Sequence, residues 1–187
     1  MSAKAVDKLP EGNQWAYEIK WDGYRVEAIK LLEQVQLFSR KAKDLTTDFP
    51  EVRRAVATVK ATSATIDGEI VVLDEQGRPS FQGLQRRSRR AGPIVYYAFD
   101  LLHLDGVDLT GLPLSKRKEK LKAILQGSKV LYSENIPGDL EVIIEHVRQL
   151  ELEGIAAKRQ DSRYLPGKSD GWFKLQLKKQ QEFVIGG

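Results

Sequence analysis

Residues 15–25 read WAYEIKWDGYR, and the alternation of this stretch decides the fold around it. In an extended strand, successive side chains point to opposite faces of the sheet. One face would be apolar and would carry Trp15, Tyr17, Ile19 and Trp21. The other face would present an acid, an amine and a second acid along one line, at Glu18, Lys20 and Asp22. The stretch therefore predicts a strand that buries one face and offers the other for chemistry, with Lys20 as a candidate nucleophile.

A second strand is predicted immediately after the first. Gly23 permits a tight turn, and alternation resumes over residues 24–29. Arg25 would then return close to Lys20. Before both strands, residues 1–13 are polar and punctuated by proline and glycine, so we expect a surface lead-in there.

The composition predicts a single soluble domain. The chain has 187 residues, of which 41% are hydrophobic, enough to bury a core. No apolar run approaches the roughly 20 residues that span a bilayer. The start of the chain also lacks the apolar segment of an export signal. We therefore expect a cytoplasmic protein with no membrane partner.

The residue types that are scarce limit the possible chemistry. The chain has no cysteine, which excludes disulfides, thiolate zinc sites and cysteine nucleophiles. With only His103 and His146, a histidine-rich metal site is not expected. Any metal would be held by carboxylates, which suits Mg²⁺ or Mn²⁺ bound together with phosphates. The net charge of +4 is compatible with a polyanionic partner.

Two acids lead into a predicted buried strand. Asp67 and Glu69 flank Gly68, and the apolar residues 70–73 follow. Burying two acids is costly unless charge is supplied from outside, and a divalent metal or a ribose hydroxyl would compensate them. The alternative is that both acids lie in water at the mouth of the strand.

Basic residues are concentrated in two segments. Residues 85–90 read QRRSRR, which is either a solvated loop or a set of contacts to the phosphates of a polyanionic partner. A helix is predicted from residue 114 onward. We expect its lysines on the solvent side, where they favour solubility over recognition, at Lys116, Lys118, Lys120 and Lys122.

Several motifs together carry a family resemblance. Residues 20–25 read KWDGYR and match K-x-D-G-x-R, the nucleotidyl-transfer motif of the covalent nucleotidyltransferases. These are the ATP-dependent DNA ligases, the RNA ligases and the mRNA capping enzymes. Later matches follow in the family's order and span nearly the whole chain, at residues 67–69, 97–100, 153–159 and 172–174. With YLPG at 164–167 and EFVIGG at 182–187, the chain looks most like the bacterial end-joining DNA ligases.

The resemblance implies an α+β fold. It would consist of antiparallel sheets flanked by helices, the ATP-grasp-like nucleotidyltransferase domain of this superfamily. Residues 1–187 would form one adenylation domain, and the C-terminal OB-fold domain of the family would be absent from this chain. We therefore expect weak or absent nick sealing by this domain alone.

The resemblance also implies three catalytic residues. Lys20 would attack the α-phosphate of ATP and carry AMP as a phosphoramidate. Lys174 would lie near the α-phosphate, and its charge, together with burial and a bound metal, would favour the neutral amine of Lys20. Asp22 would stabilise the ammonium form instead, so we expect it to act in orientation or at the DNA stage.

A nucleotide site follows from the same motifs. Glu18 would recognise the adenine amino group, and Ile19 beside it would also bind the nucleotide. Arg25 would lie near the ribose. Phe99 would stack on the purine, and Ile155 would cover the base from the opposite side. Arg40 would face the nucleotide or the DNA end, with a surface salt bridge as the alternative. We expect Asp100 to serve structure.

Two carboxylates complete this site, and one position of the last strand differs from the family pattern. Glu69 and Glu153 would bind the metal, with Glu69 contacting ribose as its alternative role. Most relatives have two lysines two residues apart in the last strand, whereas this chain has Lys174 followed by Gln176. Gln176 carries no charge, so phosphate neutralisation would be weaker or would depend on Lys178.

The implied function is ATP-dependent DNA ligation in double-strand break repair. The expected cofactors are ATP and Mg²⁺ or Mn²⁺, and the expected substrate is nicked or broken double-stranded DNA. Ku and fused polymerase or end-processing domains are the expected partners of a monomeric, nucleoid-associated bacterial protein. The alternatives are an RNA ligase, a capping-type guanylyltransferase, or a non-catalytic DNA-binding module of the same fold.

Overall fold

The computed structural model describes residues 1–75, 77, 79 and 92–177 of the chain. The strands are β1 Ser2–Ala5, β2 Trp15–Lys20, β3 Tyr24–Leu31, β4 Gln34–Ser39, β5 Ser63–Val72, β6 Ile94–Leu104, β7 Val107–Asp108, β8 Leu131–Tyr132, β9 Gly154–Arg159 and β10 Lys168–Gln176. The helices are α1 Pro50–Ala57, α2 Leu114–Leu125 and α3 Leu140–Gln149. The basic run at 85–90, Lys178 and the terminal EFVIGG lie outside the described residues.

The strands form two sheets. The first has the order β1-β10-β9-β2, and the second has the order β4-β3-β5-β6-β7 with β8 paired to β6. Most neighbours are antiparallel, as predicted, whereas β1 with β10 and β6 with β8 are parallel. The lead-in expected at residues 1–13 was therefore wrong in part, because β1 is the edge strand of the first sheet.

Each sheet has its own core. The second sheet packs against α1 and α2, with Val26, Leu37, Ile66 and Leu101 fully buried between them. The first sheet packs against α3, through Tyr17, Ile143, Val147 and Ile155. The remaining faces of the two sheets approach each other, and Phe99 of β6 contacts Trp172 of β10 there.

The sharp turn at Gly23 joins the two sheets. A Cβ at this position would lie 2.1 Å from the carbonyl oxygen of Ile70, so glycine alone fits. This close approach places the end of β2, which carries Lys20, against the start of β3, which carries Arg25. None of the helices in the described part of the chain is both long enough and apolar enough to cross a bilayer.

Candidate active site

A cavity of about 200 Å³ lies between the two sheets. Its lining includes eight residues predicted from sequence: Glu18, Ile19, Lys20, Arg25, Arg40, Glu69, Phe99 and Lys174. Trp21, Ala156, Lys158 and Trp172 also line it. Larger grooves lie elsewhere on the surface. Only this cavity, among those found in the described residues, gathers the charged side chains of β2, so we treat it as the candidate site.

Lys20 is the last residue of β2 and is mostly buried, with 20% of its side chain exposed. Its Nζ donates a hydrogen bond to Oε1 of Glu153. Burial and then the Lys174 cation lower the pKa of Lys20, although the carboxylates of Glu69 and Asp22 oppose them. The site therefore shifts this lysine toward the neutral amine, the form that can act as a nucleophile.

Two carboxylates predicted to bind metal lie beside Lys20. Glu153 is only 8% exposed, and its second oxygen, Oε2, is buried and has no hydrogen-bond partner among the residues that the structure describes. Burial raises the pKa of Glu69 to about 8, even though the cations Arg25 and Lys20 lower it. A divalent cation would supply positive charge to Glu69 and to the second oxygen of Glu153. The described residues hold no cluster of three or more His, Cys, Asp or Glu ligands, so nucleotide phosphates and water would have to complete its coordination.

Glu18 is fully buried at 1% exposure rather than displayed to solvent. The Nζ of Lys118 donates to its Oε1 at 2.6 Å, and the Nζ of Lys158 donates to its Oε2 at 2.9 Å. Burial by itself raises the pKa of Glu18, but the two cations outweigh it and lower the pKa, so the carboxylate is ionised. The expectation that Lys118 faces solvent was therefore wrong, because this lysine is 4% exposed.

Aromatic rings form one wall of the cavity. The Nζ of Lys158 lies 4.2 Å from the ring centroid of Phe99 and 4.4 Å from that of Trp172, within the range of cation–π contacts. Phe99 and Trp172 meet edge to face, with centroids 6.1 Å apart. The sequence indicated Phe99 as an aromatic of the site but did not indicate that Trp172 would face it.

Arg25 reaches the cavity from β3. Its Nε and Nη2 donate to the two carboxylate oxygens of Asp67, at 3.0 and 2.6 Å. The hydroxyl of Tyr164 donates to Oδ2 of Asp67 at 2.8 Å. This bidentate pair fixes the guanidinium over the Phe99 ring, 5.4 Å from its centroid. Sequence reasoning did not assign Tyr164 a role, because no local pattern links its loop to β5.

The structure does not bring every predicted residue into the cavity. Ile155 is fully buried in the core under α3, so the expectation that it covers the base was wrong. Its neighbours in β9, Ala156 and Lys158, take the cavity face instead. Glu153 precedes β9 and contacts Lys20, but it is not among the described residues that line the cavity. Gln176 is exposed and is not among the described residues that line the cavity.

The other predicted residues lie at the rim or behind the wall. Asp22 is half-buried in the turn after Lys20, and Arg40 is exposed at the cavity mouth. Asp100 is fully buried, and both of its carboxylate oxygens accept hydrogen bonds from Arg117, at 2.7 and 2.8 Å. This contact anchors α2 to β6 at the residue after Phe99, which confirms the structural role expected of Asp100.

Comparison with known proteins assigns the chain to one family. Residues 1–176 match the family described as ATP dependent DNA ligase domain. The multifunctional non-homologous end joining protein LigD of Mycolicibacterium smegmatis is 39% identical over 178 residues, covering 95% of this chain and 23% of that protein. Its counterpart in Pseudomonas aeruginosa is 37% identical over 190 residues, covering 99% and 22%. The chain thus spans less than a quarter of the length of these relatives.

Solved structures agree with the sequence comparison. The ligase domain of Mycobacterium tuberculosis LigD superposes with a TM-score of 0.80 at 36% identity, covering 92% of this chain and 58% of that chain. A mycobacterial DNA ligase D complexed with ATP and MES also gives 0.80, at 34% identity, covering 93% and 60%. The two-sheet arrangement is therefore the fold of these ligase domains.

Proposed function

Because this chain belongs to the family of ATP-dependent DNA ligase domains, we propose that it is the adenylating domain of an end-joining DNA ligase, with Lys20 as the residue that carries AMP. The neutral Nζ of Lys20 attacks the α-phosphorus of ATP. A P–N bond forms, the bond from the α-phosphorus to the bridging oxygen breaks, and pyrophosphate leaves. The nitrogen loses a proton in the same process.

One observation carries this proposal. Lys20 is a mostly buried amine with a lowered pKa, held between an acid from before β9 and a second lysine from β10. A structural lysine gains nothing from an adjacent cation. A nucleophilic lysine gains from an adjacent cation, because the neighbouring charge favours loss of its proton. The same charge can later offset the negative charge on phosphorus.

The rest of the cavity supports a purine nucleotide as the ligand. Glu18 is an ionised carboxylate suited to accept a hydrogen bond from an exocyclic amino group, and Phe99 offers an aromatic face. Arg25 is held rigidly by Asp67 where it can reach the ribose. Lys174 lines the cavity beside Lys20, in reach of the phosphates. A nucleotide would therefore be bound at its base, sugar and α-phosphate by different strands.

We assign the metal to Glu153 and Glu69. A bound Mg²⁺ or Mn²⁺ would supply charge neutralisation at the phosphates. Glu153 offers an unpartnered oxygen to it. Glu69 would lose its proton to ligate the cation, since with a pKa of about 8 the free carboxyl is mostly protonated near neutral pH.

The later steps extend this proposal to DNA. AMP would pass from Lys20 to the 5′-phosphate at a break, and the 3′-hydroxyl would then displace AMP to seal the strand. We assign Arg40, which lines the cavity, and Asp22, in the turn after Lys20, to that stage. The similar LigD proteins are named as multifunctional end-joining proteins. We therefore propose that this domain works as a monomeric unit beside polymerase or end-processing domains and Ku, on DNA in the bacterial cytoplasm.

Intact-mass measurement after incubation with ATP and Mg²⁺ tests the proposal. We expect a covalent AMP adduct in the wild-type protein and none in Lys20→Ala. Lys116→Ala is the matched control, because Lys116 is an exposed lysine on α2 and should leave the adduct unchanged. An adduct formed from GTP but not from ATP would overturn the ligase assignment in favour of a guanylyltransferase. The absence of any adduct, together with tight DNA binding, would favour a non-catalytic module.

A further inference from the structure

The Glu18 carboxylate is bound by a lysine, Lys118, that is not among the described residues lining the cavity. Lys118 lies on α2, and its Nζ donates to Oε1 of Glu18 at 2.6 Å. Lys158 donates to the other oxygen and lines the cavity, whereas Lys118 is not among the lining residues in the described part of the chain. Only Lys158 is therefore in a position to contact a ligand directly.

Lys118 is itself fixed by other contacts. Its Nζ also donates to the backbone oxygen of Ser133 at 2.8 Å and lies 4.8 Å from the ring centroid of Tyr132. The Ser133 hydroxyl in turn accepts a hydrogen bond from Trp21 Nε1 at 3.2 Å. A lysine with 4% exposure and these partners has little freedom to move. It therefore defines where Oε1 of Glu18 lies.

The two lysines have different roles once the cavity is filled. A ligand that takes a hydrogen bond from Lys158, or moves it, weakens one of the two contacts that keep Glu18 ionised and oriented. The contact from Lys118 stays, because it is made to the other carboxylate oxygen by a residue that is not among the described residues lining the cavity. A buried carboxylate without a cation would be costly and would tend to take up a proton, which would turn an acceptor into a donor.

We propose that Lys118 is a positioning residue that sets the selectivity of the cavity for a purine with a 6-amino group, by holding Glu18 ionised and fixed as the acceptor of that amino group. This inference rests on the proposed function, in which Glu18 reads the base. Lys118 acts through Glu18 and makes no contact with the nucleotide itself.

Equilibrium binding in a Lys20→Ala background tests this inference without covalent capture. The two ligands are ATP and purine riboside 5′-triphosphate, which differs from ATP only in lacking the 6-amino group. Tryptophan fluorescence reports binding, because Trp21 and Trp172 line the cavity. We expect the background protein to prefer ATP about tenfold, the usual value of one charge-assisted hydrogen bond. Lys118→Gln should reduce this preference to less than about threefold.

Lys122→Gln is the matched control. Lys122 lies one turn later on α2, also faces the Tyr132 ring and pairs with Glu134, but its side chain is 59% exposed. It should keep the full preference for ATP. If Lys118→Gln keeps it as well, Lys118 does not set selectivity and the inference is overturned.

If Lys118→Gln does not fold, Lys118→Arg provides the test. Arginine keeps the charge, but its planar guanidinium cannot replace a single ammonium at Oε1 without moving the carboxylate. The ATP preference should fall at least about threefold if Lys118 positions Glu18. An unchanged preference would mean that Lys118 only balances charge, and the inference would fail.

The outcomes separate this inference from the proposed function. If the background protein itself shows no preference for ATP, the assignment of Glu18 fails and this inference fails with it. If the background protein prefers ATP and both Lys118 variants keep that preference, only this inference fails. Formation of the AMP adduct is measured separately, in the protein that retains Lys20.

Discussion

Lys20 and Lys174 face the same cavity from β2 and β10, the two strands that flank β9, and the cation of Lys174 lowers the pKa of Lys20. In register, Lys20 pairs with Gly154 and Lys174 pairs with Ala156, so one strand separates them. Two like charges in one buried site destabilise each other. The arrangement therefore favours release of a proton from Lys20, and this effect can be measured.

We expect Lys174→Gln to shift the pH dependence of adenylation to higher pH. Removing the neighbouring positive charge raises the pKa of Lys20, so a smaller fraction of Lys20 is neutral at pH 7. The loss of rate relative to wild type should therefore be larger at pH 7 than at pH 9.5. Single-turnover formation of the AMP adduct across this range measures the shift.

Lys174→Arg is the control for charge. It keeps the positive charge in the cavity, so its pH profile should retain the wild-type shape even if its rate falls. Identical profiles for the Gln and Arg variants would show that Lys174 does not tune Lys20. The role of Lys174 would then be confined to contact with the phosphates.

Glu69 gives a prediction about stability and pH. Its pKa is about 8 in the folded protein and near 4.5 ordinarily, so the folded state binds its proton more tightly than the unfolded state. Its contribution to stability is therefore fully present below about pH 4.5 and is lost as the pH rises through 8. Glu69→Gln, which cannot ionise, should gain stability over wild type progressively from pH 5 to about pH 8 and level off above it, by on the order of 1–3 kcal/mol at the upper end.

Thermal unfolding in EDTA at a series of pH values measures this gain. Glu119→Gln is the control, because Glu119 is a fully exposed acid on α2 and should show no growing gain. Adding Mg²⁺ with ATP should reverse the order, since wild type then binds the cation through Glu69 and the variant does not. A constant difference between wild type and Glu69→Gln at all pH values would contradict the raised pKa.

Alternation along the chain was enough to predict much of the site. Because β2 alternates from Trp15 to Lys20, Glu18 and Lys20 had to share a face, and the structure confirms that both line the cavity. The same rule predicted that Phe173 and Leu175 pack in the core while Lys174 faces away from it. In each case the decision depended only on neighbours within one strand.

The residues that were missed depend on contacts between distant segments. Lys118 lies in a run of helical lysines, and nothing in that run shows that this one lysine meets a buried carboxylate 100 positions earlier. Tyr164 reaches Asp67 across 97 positions from a loop without periodicity. Alternation tells which side chains share a face, but not which other element covers that face.

Phe99 provides a test of the aromatic wall. Phe99→Leu keeps an apolar side chain but removes the flat ring and should weaken ATP binding about tenfold, the value of one lost base stack. Phe173→Leu is the matched control, because Phe173 lies next to Trp172 in β10 but packs on the core side of the sheet. Its ATP affinity should stay within about twofold of wild type. Equal losses in both variants would argue that Phe99 acts through the fold and not through the base.

Substitutions at two adjacent positions of β9, Ile155 and Ala156, should affect different properties, the free energy of unfolding in one case and ATP binding in the other. Ile155 is fully buried under α3, so Ile155→Ala should lower the free energy of unfolding by about 2–5 kcal/mol and leave ATP affinity in the folded protein unchanged. Ala156 lines the cavity, so Ala156→Val should leave unfolding within about 1 kcal/mol of wild type and weaken ATP binding by crowding the site. Urea unfolding and nucleotide titration on both variants measure the two effects. The opposite result would be weaker ATP binding in folded Ile155→Ala and unchanged ATP binding in Ala156→Val. Ile155 would then face the cavity, as first expected from sequence, and the orientation of β9 described above would be refuted.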